Sequence, residues 1–206
     1  MKKFKKLLTA ALLLGALASC GETPVESSQA SVEESTEIRE LDAALAKIAE
    51  GKTCYLTTTG QADLDTVNNL FKLSGVSSSV TKEALLEASD VAEGSVVFLT
   101  LGNSGKGLGA AGIDKDSEKV RAEAFAAAAK EGKITLILFH VGGTARRGDS
   151  DEIIEVAFPG ATACFITGDG NTDNFFTDLA STNSVDLYSV ADLFGMVDYV
   201  KGMFGK

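Results

Sequence analysis

Ile134-Thr135-Leu136-Ile137-Leu138-Phe139 holds one polar side chain in six residues, and Val96-Val97-Phe98-Leu99 holds none. Runs this short and this apolar fit strands buried on both faces, the situation of a central strand in a parallel sheet covered by helices. Outward from these two runs, β-rich stretches alternate with helical periods from Thr53 onward. Strands are predicted at residues 54–59, 76–80, 96–101, 134–140, 161–167 and 185–189, and helices at 63–73, 82–88, 115–130, 150–157, 173–180 and 191–203. Asp114 stands where an N-cap belongs and Gly132 where that helix should stop. Three serines in the second strand mark it as an edge. The alternation predicts a three-layer, doubly wound α/β domain of the Rossmann or flavodoxin-like kind, mostly parallel, with strand order 2-1-3-4-5-6. In such a sheet the order reverses between strands one and three. Ligands bind there, outside the carboxyl ends of the strands.

The chain of 206 residues begins differently. Lys2, Lys3, Lys5 and Lys6 precede an apolar stretch from Leu7 to Ala18, and Leu17-Ala18-Ser19-Cys20 is a lipobox. The stretch is about half the roughly 20 residues that span a bilayer, so residues 1–19 read as a secretory signal cut before Cys20. Residues 20–37 are rich in Ser, Glu and Thr and read as a flexible acidic tether. The domain is expected from 38 to 206, opened by a short helix on Ile38, Leu41, Leu45 and Ile48 that ends at Gly51.

Loss of the four signal lysines takes the formal net charge from −10 to −14, which argues against a nucleic-acid partner and against an electrostatic grip on anionic lipid. Cys54 and Cys164 fall inside predicted strands and read as buried free thiols, with a disulfide as the minority reading.

Four loops at the predicted carboxyl ends carry the candidate chemistry. After the first strand, Gln61 follows the Gly60 turn as a polar contact, and Asp63 reads as a helix cap. After the third, Gly102-Asn103-Ser104-Gly105-Lys106-Gly107-Leu108-Gly109-Ala110-Ala111-Gly112 suggests a backbone nest for an anion. Its Gly107-x-Gly109-x-x-Gly112 spacing follows the third strand, and His140 stands where a dinucleotide fold needs an acid, so no nucleotide cofactor is expected. After the fourth come His140, Arg146 and Arg147, with Asp149 or Asp151 as partner for one arginine and Ser150, Asp151 and Glu152 as helix caps. After the fifth, Asp169-x-Asn171-x-Asp173 begins like a calcium loop, but Asn174 and Ala180 replace the glycine and the glutamate it requires, and no metal site is expected.

Together, Gly105-Lys106-Gly107-Leu108-Gly109-Ala110-Ala111-Gly112-Ile113-Asp114, His140-Val141-Gly142-Gly143-Thr144-Ala145-Arg146-Arg147-Gly148 and Gly170-Asn171-Thr172-Asp173 resemble a family of bacterial lipoproteins built on a domain of unknown function, over residues 53–206. The resemblance implies an envelope protein, with a diacylglyceryl group on Cys20, and brings no activity with it.

The expectation is therefore a lipid-anchored extracytoplasmic domain on the cell membrane or outer membrane that binds a small anionic or polar ligand. Its contacts are expected from Gln61, Asn103, Ser104, Lys106, Gly107, Gly109, His140, Arg146, Arg147 and Asn171, with Lys106, His140 and the arginines as a positive field and a transporter or sensor as partner. No catalytic residue is assigned. The alternatives are a hydrolase using Ser104 and His140, although the nucleophile-elbow pattern is incomplete, and a structural or interaction role in the envelope.

Overall fold

The computed structural model describes residues 40–206; the signal, Cys20 and the tether lie outside the described residues. Six parallel strands form one sheet: β1 (Cys54–Thr59), β2 (Thr81–Lys82), β3 (Val96–Leu101), β4 (Thr135–His140), β5 (Ala163–Thr167) and β6 (Asp186–Val190). Their order is β2-β1-β3-β4-β5-β6. The helices are α1 (Leu64–Leu73), α2 (Gly105–Ala111), α3 (Lys115–Lys130), α4 (Asp151–Ala157), α5 (Phe175–Asn183) and α6 (Val197–Met203). Among the described residues no helix is long and apolar enough to cross a membrane.

The apolar runs of β3 and β4 are explained by two cores. Val96 and Phe98 enter one layer with Phe71 of α1, Phe139, Phe165 and Met203 of α6. Val97, Leu99 and Leu101 enter the opposite layer with Phe125 of α3 and Ile153 of α4. Successive strand side chains point to opposite faces, and both faces here are covered. Cys54 and Cys164 are free and buried in these layers.

Three local expectations fail, each for a backbone reason. Residues 40–51 form turns instead of one helix, because Lys47 takes a left-handed φ of 62°. The N–H groups of Lys47 and Ala49 donate to Gly202 O and Met203 O at the end of α6. The second strand begins at Thr81, beyond a 3₁₀ turn over Ser77–Ser79. Nor do residues 82–88 wind into a helix: Glu83 N–H donates to Leu56 O of β1, and Arg121 takes the Leu86 carbonyl.

The glycine-rich segment is the fourth departure. It is the helix α2, capped by Ser104 Oγ on Gly107 N–H (3.2 Å) and ended by Gly112 at φ 69°. The Leu108 N–H is used inside the helix, on Ser104 O, so the segment is no open nest.

Candidate functional site

β1 and β3 end side by side, with Thr58 opposite Thr100 and Thr59 opposite Leu101. Beyond them the chain turns sharply. Gly60, at φ 87°, lies so near Gly102 O that a Cβ would overlap it, and Gly107 presses equally close on Gln61 O. Gly109 of the same helix meets nothing, so only Gly107 is required by packing. Gln61 and Asp63 both adopt left-handed backbone, at φ 57° and 60°, a conformation that costs free energy in a non-glycine residue and concentrates at functional positions.

A buried ion pair on α3 holds this turn. Glu118 Oε2 accepts Gly60 N–H at 2.6 Å and Gln61 Nε2 at 3.0 Å. Arg121 grips both Glu118 oxygens (2.9 and 2.8 Å) and donates to Thr58 O and Leu86 O. Both side chains are under 5% exposed. Two charges withdrawn from water need such complete hydrogen bonding. Here it fixes the β1 end to α3 and to the chain leading into β3.

Asp63 is not the helix cap its position suggests, since its carboxylate bonds no N–H of α1. Instead Oδ2 reaches over the ends of β3 and β4, where a Cβ on Gly102 would lie 3.1 Å from it and one on Gly142 2.8 Å. Arg146 Nε stands 3.3 Å away as an ion partner, yet Asp63 Oδ2 is buried without a hydrogen bond. Thr59 Oγ1, Thr100 Oγ1 and Asn103 Oδ1 are likewise buried and unbonded. Of these four residues only Asp63 borders an open cavity of about 380 Å³, lined also by Thr58, Gln61, Asp65, Thr66 and Lys82. Asp65 and Lys82 are ion-paired at its rim.

The predicted contacts divide. Gln61 pairs with Asn103 as an isolated antiparallel bridge, and Ser104 N–H donates to Gly60 O at 2.8 Å, so these three residues meet at the turn. Lys106 and Gly109 lie on the exposed face of α2. Asn171 is a cap: its Oδ1 accepts Phe176 N–H at 2.8 Å. Ser150 does not cap α4, because its hydroxyl accepts Asn103 N–H at 2.7 Å. Asp151 takes Gly148 N–H, and Glu152 pairs with Lys115.

The expected positive field is largely answered internally. Arg147 forks onto Asp151 (2.8 and 3.3 Å) and Asp173 (both 3.0 Å), donates to Gly170 O, and lies 3.9 Å over the Phe175 ring. Its guanidinium holds the Asp173 carboxyl at about 2, well below the carboxylate range. His140 is fully buried. Its Nδ1 lies 3.0 Å from Leu101 O and its Nε2 3.2 Å from Gly143 O. A neutral imidazole has one N–H and donates to only one of them. Protonation would satisfy both, but burial outweighs those carbonyls and pushes the ring below its ordinary range. Ser104 and His140 share no hydrogen bond among the described residues, and each already has main-chain partners.

Asp63 was missed as a site residue because its sequence position, just before a helical period, has the signature of a cap. Only its backbone conformation separates the two roles. Glu118 and Arg121, three apart within a long helical pattern, look in sequence like a surface ion pair. Among the described residues no group of three acidic, His or Cys side chains could hold a metal ion.

No curated protein and no solved structure matches the chain. A family does match it over residues 52–204, from just before β1 to the end of α6, and so takes in both the sheet and the whole of the site described above. The chain belongs to that family, the domain of unknown function DUF6305.

Proposed function

We propose that this chain is a lipid-anchored extracytoplasmic domain that binds a small polar ligand in the crevice at the carboxyl ends of β1, β3 and β4. The supporting observation is where unsatisfied polar atoms collect. Buried polar groups normally have partners, and each exception asks for an explanation. Of five such side-chain atoms among the described residues, Thr59 Oγ1, Asp63 Oδ2, Thr100 Oγ1 and Asn103 Oδ1 stand at this one end of β1 and β3; only Ser95 Oγ does not. The reversal of strand order falls between those strands, as it does in doubly wound folds that bind ligands. Thr59 and Thr100 are fully buried on opposite faces of the sheet, so a hydroxyl-bearing ligand would answer Asp63 and Asn103, the two partly exposed residues of the set. The internal pairing of Arg147 and the burial of His140 favour a hydrogen-bonding ligand over a simple anion.

The test is a thermal-shift panel of polyols, neutral sugars, sugar acids, phosphates, dicarboxylates and amino acids against wild type and Asp63→Gly. Glycine suits φ 60° and removes the carboxylate together with its methylene. Stabilisation of wild type that is lost in a folded Asp63→Gly variant supports the site; equal shifts in both proteins, or none in either, refute it.

Cys20 supplies the anchor in this reading, and a transporter or sensor in the same envelope would receive the ligand. Cys20→Ala should abolish fatty-acid labelling and release the protein with its melting temperature unchanged. Equal labelling of wild type and variant would remove the anchor from the account.

A further inference from the structure

We infer that Asp63 is a subsite for an organic cation, an ammonium or guanidinium group carried by the ligand, and that Arg146 is an internal occupant which that group displaces. The inference rests on the binding site proposed above and specifies what the ligand must carry.

Among the described residues three arginines face carboxylates, and one of them does so loosely. Arg121 forks onto Glu118 at 2.8–2.9 Å. Arg147 forks onto Asp151 and Asp173 at 2.8–3.3 Å. Those are the bidentate, charge-assisted contacts expected of a structural arginine. Arg146 brings a single Nε to 3.3 Å of Asp63 Oδ2 without forming a hydrogen bond. Its side chain is 37% exposed, against 14% for Asp63.

The route is shaped for this placement. A Cβ on Gly142 would overlap Arg146 Cγ, so the arginine stem lies directly across that glycine to reach Asp63. The stem therefore fills the crevice between the β1 and β4 loops, over the strand ends where a ligand would enter. Arg146 ends a 3₁₀ turn, Gly143–Arg146, and in this proposal its guanidinium swings away from Asp63 when the ligand enters. A largely buried carboxylate stripped of its cation is strongly disfavoured, so whatever moves Arg146 has to bring positive charge of its own. The chain's formal net charge of −10 attracts such a ligand. A metal ion is a poorer fit, because a hard cation such as calcium wants six to eight oxygens, and among the described residues no group of three acidic, His or Cys side chains could hold one. The rest of the ligand would extend into the neighbouring cavity beside Gln61 and Thr66.

The experiment uses agmatine, which has a guanidinium, an ammonium and no carboxylate, with sorbitol and succinate as neutral and anionic probes. Titration calorimetry measures affinity on wild type, Arg146→Ala, Arg146→Gln and Asp63→Asn, each first checked for native far-UV circular dichroism. Arginine Nε–H resonances of the wild type report which guanidinium moves. Agmatine should shift the Arg146 signal and leave Arg121 and Arg147 in place. Removing the internal competitor in either Arg146 variant should tighten agmatine binding tenfold or more, and Asp63→Asn should abolish it. Unchanged or weaker binding in both Arg146 variants, retained binding in Asp63→Asn, or no agmatine binding to wild type overturns the inference. Sorbitol that binds wild type and is not displaced by agmatine leaves the polar site standing without its cation subsite. Failure of all three probes to bind counts against both.

Discussion

Around β4 and β5 the polar groups at the strand ends have partners: Arg147 joins Asp151, Asp173 and Gly170, Asn171 caps α5, and both ring nitrogens of His140 face carbonyls. Along the same edge of the sheet, around β1 and β3, four buried oxygens have no hydrogen bond, Gln61 and Asp63 hold left-handed backbone, and Arg146, reaching across from the β4 loop, is loosely placed. The first region is built for stability. Left-handed backbone occurs in the first region too, at Asn174, so it is the unsatisfied groups of the second that stability alone does not explain, and beneath them the Glu118–Arg121 pair keeps the turn in position. Within one sheet edge, hydrogen-bond satisfaction therefore separates scaffold from candidate site.

That contrast can be broken most forcefully from below. Glu118→Ala leaves Arg121 buried and unpaired and frees Gly60 and Gln61, so it should cost about 3–5 kcal/mol. For a domain of this size that is a fall in melting temperature of roughly 10 °C. A loss under about 1 kcal/mol would mean that the pair does not hold the turn. Next in size, Arg147→Ala removes a network of charge-assisted bonds and should cost about 2 kcal/mol while leaving ligand affinity unchanged. Denaturant titration measures the first quantity and calorimetry the second. A large affinity loss would move the site to β4 and β5.

The smallest of these effects is a pH dependence. Burial holds the folded-state pKa of His140 below its ordinary value near 6.5. Above that value the ring is neutral in both states and contributes no slope. Below it the unfolded chain takes up a proton that the folded chain refuses, so stability falls with pH by up to about 1.4 kcal/mol per unit until the folded pKa is reached. The slope between pH 6.5 and 5 should be shallower in His140→Gln. Parallel curves for the two proteins would show that the ring titrates alike folded and unfolded.

Much of this arrangement was legible in the sequence, and the parts that were not have a common cause. Continuous apolar runs revealed β3 and β4 because burial on both faces leaves a direct mark on composition, and the strand order followed from connection rules. The glycines around Gly107 suggested an open loop, whereas a seven-residue helix forms, with Ser104 as cap and Gly107 pressed on Gln61. Residues 82–88 had helical spacing, but their main-chain groups pair with β1 and Arg121. In both cases a long-range backbone contact decided the outcome, and local periodicity does not record such contacts. Gln61, Asn103 and Ser104, expected as ligand contacts from the loops after strands one and three, meet at one turn. Asp63 and Arg146 were visible as residues but not as partners, since 83 positions separate them and the glycines that let them meet look like ordinary turns.

Whether ligand enters at the β1 and β3 ends is read from backbone amide shifts during a ligand titration. With any compound that stabilises wild type in the thermal-shift panel, the amides of Gly60, Gln61, Asp63, Gly102 and Gly142 should shift, with Gly170 and Asn171 unmoved. A second open groove, of about 480 Å³, lies by Ala124, Ala127 and Lys133. Shifts centred on that groove, or on Gly170 and Asn171, with Gly60 to Asp63 silent, would place the ligand elsewhere.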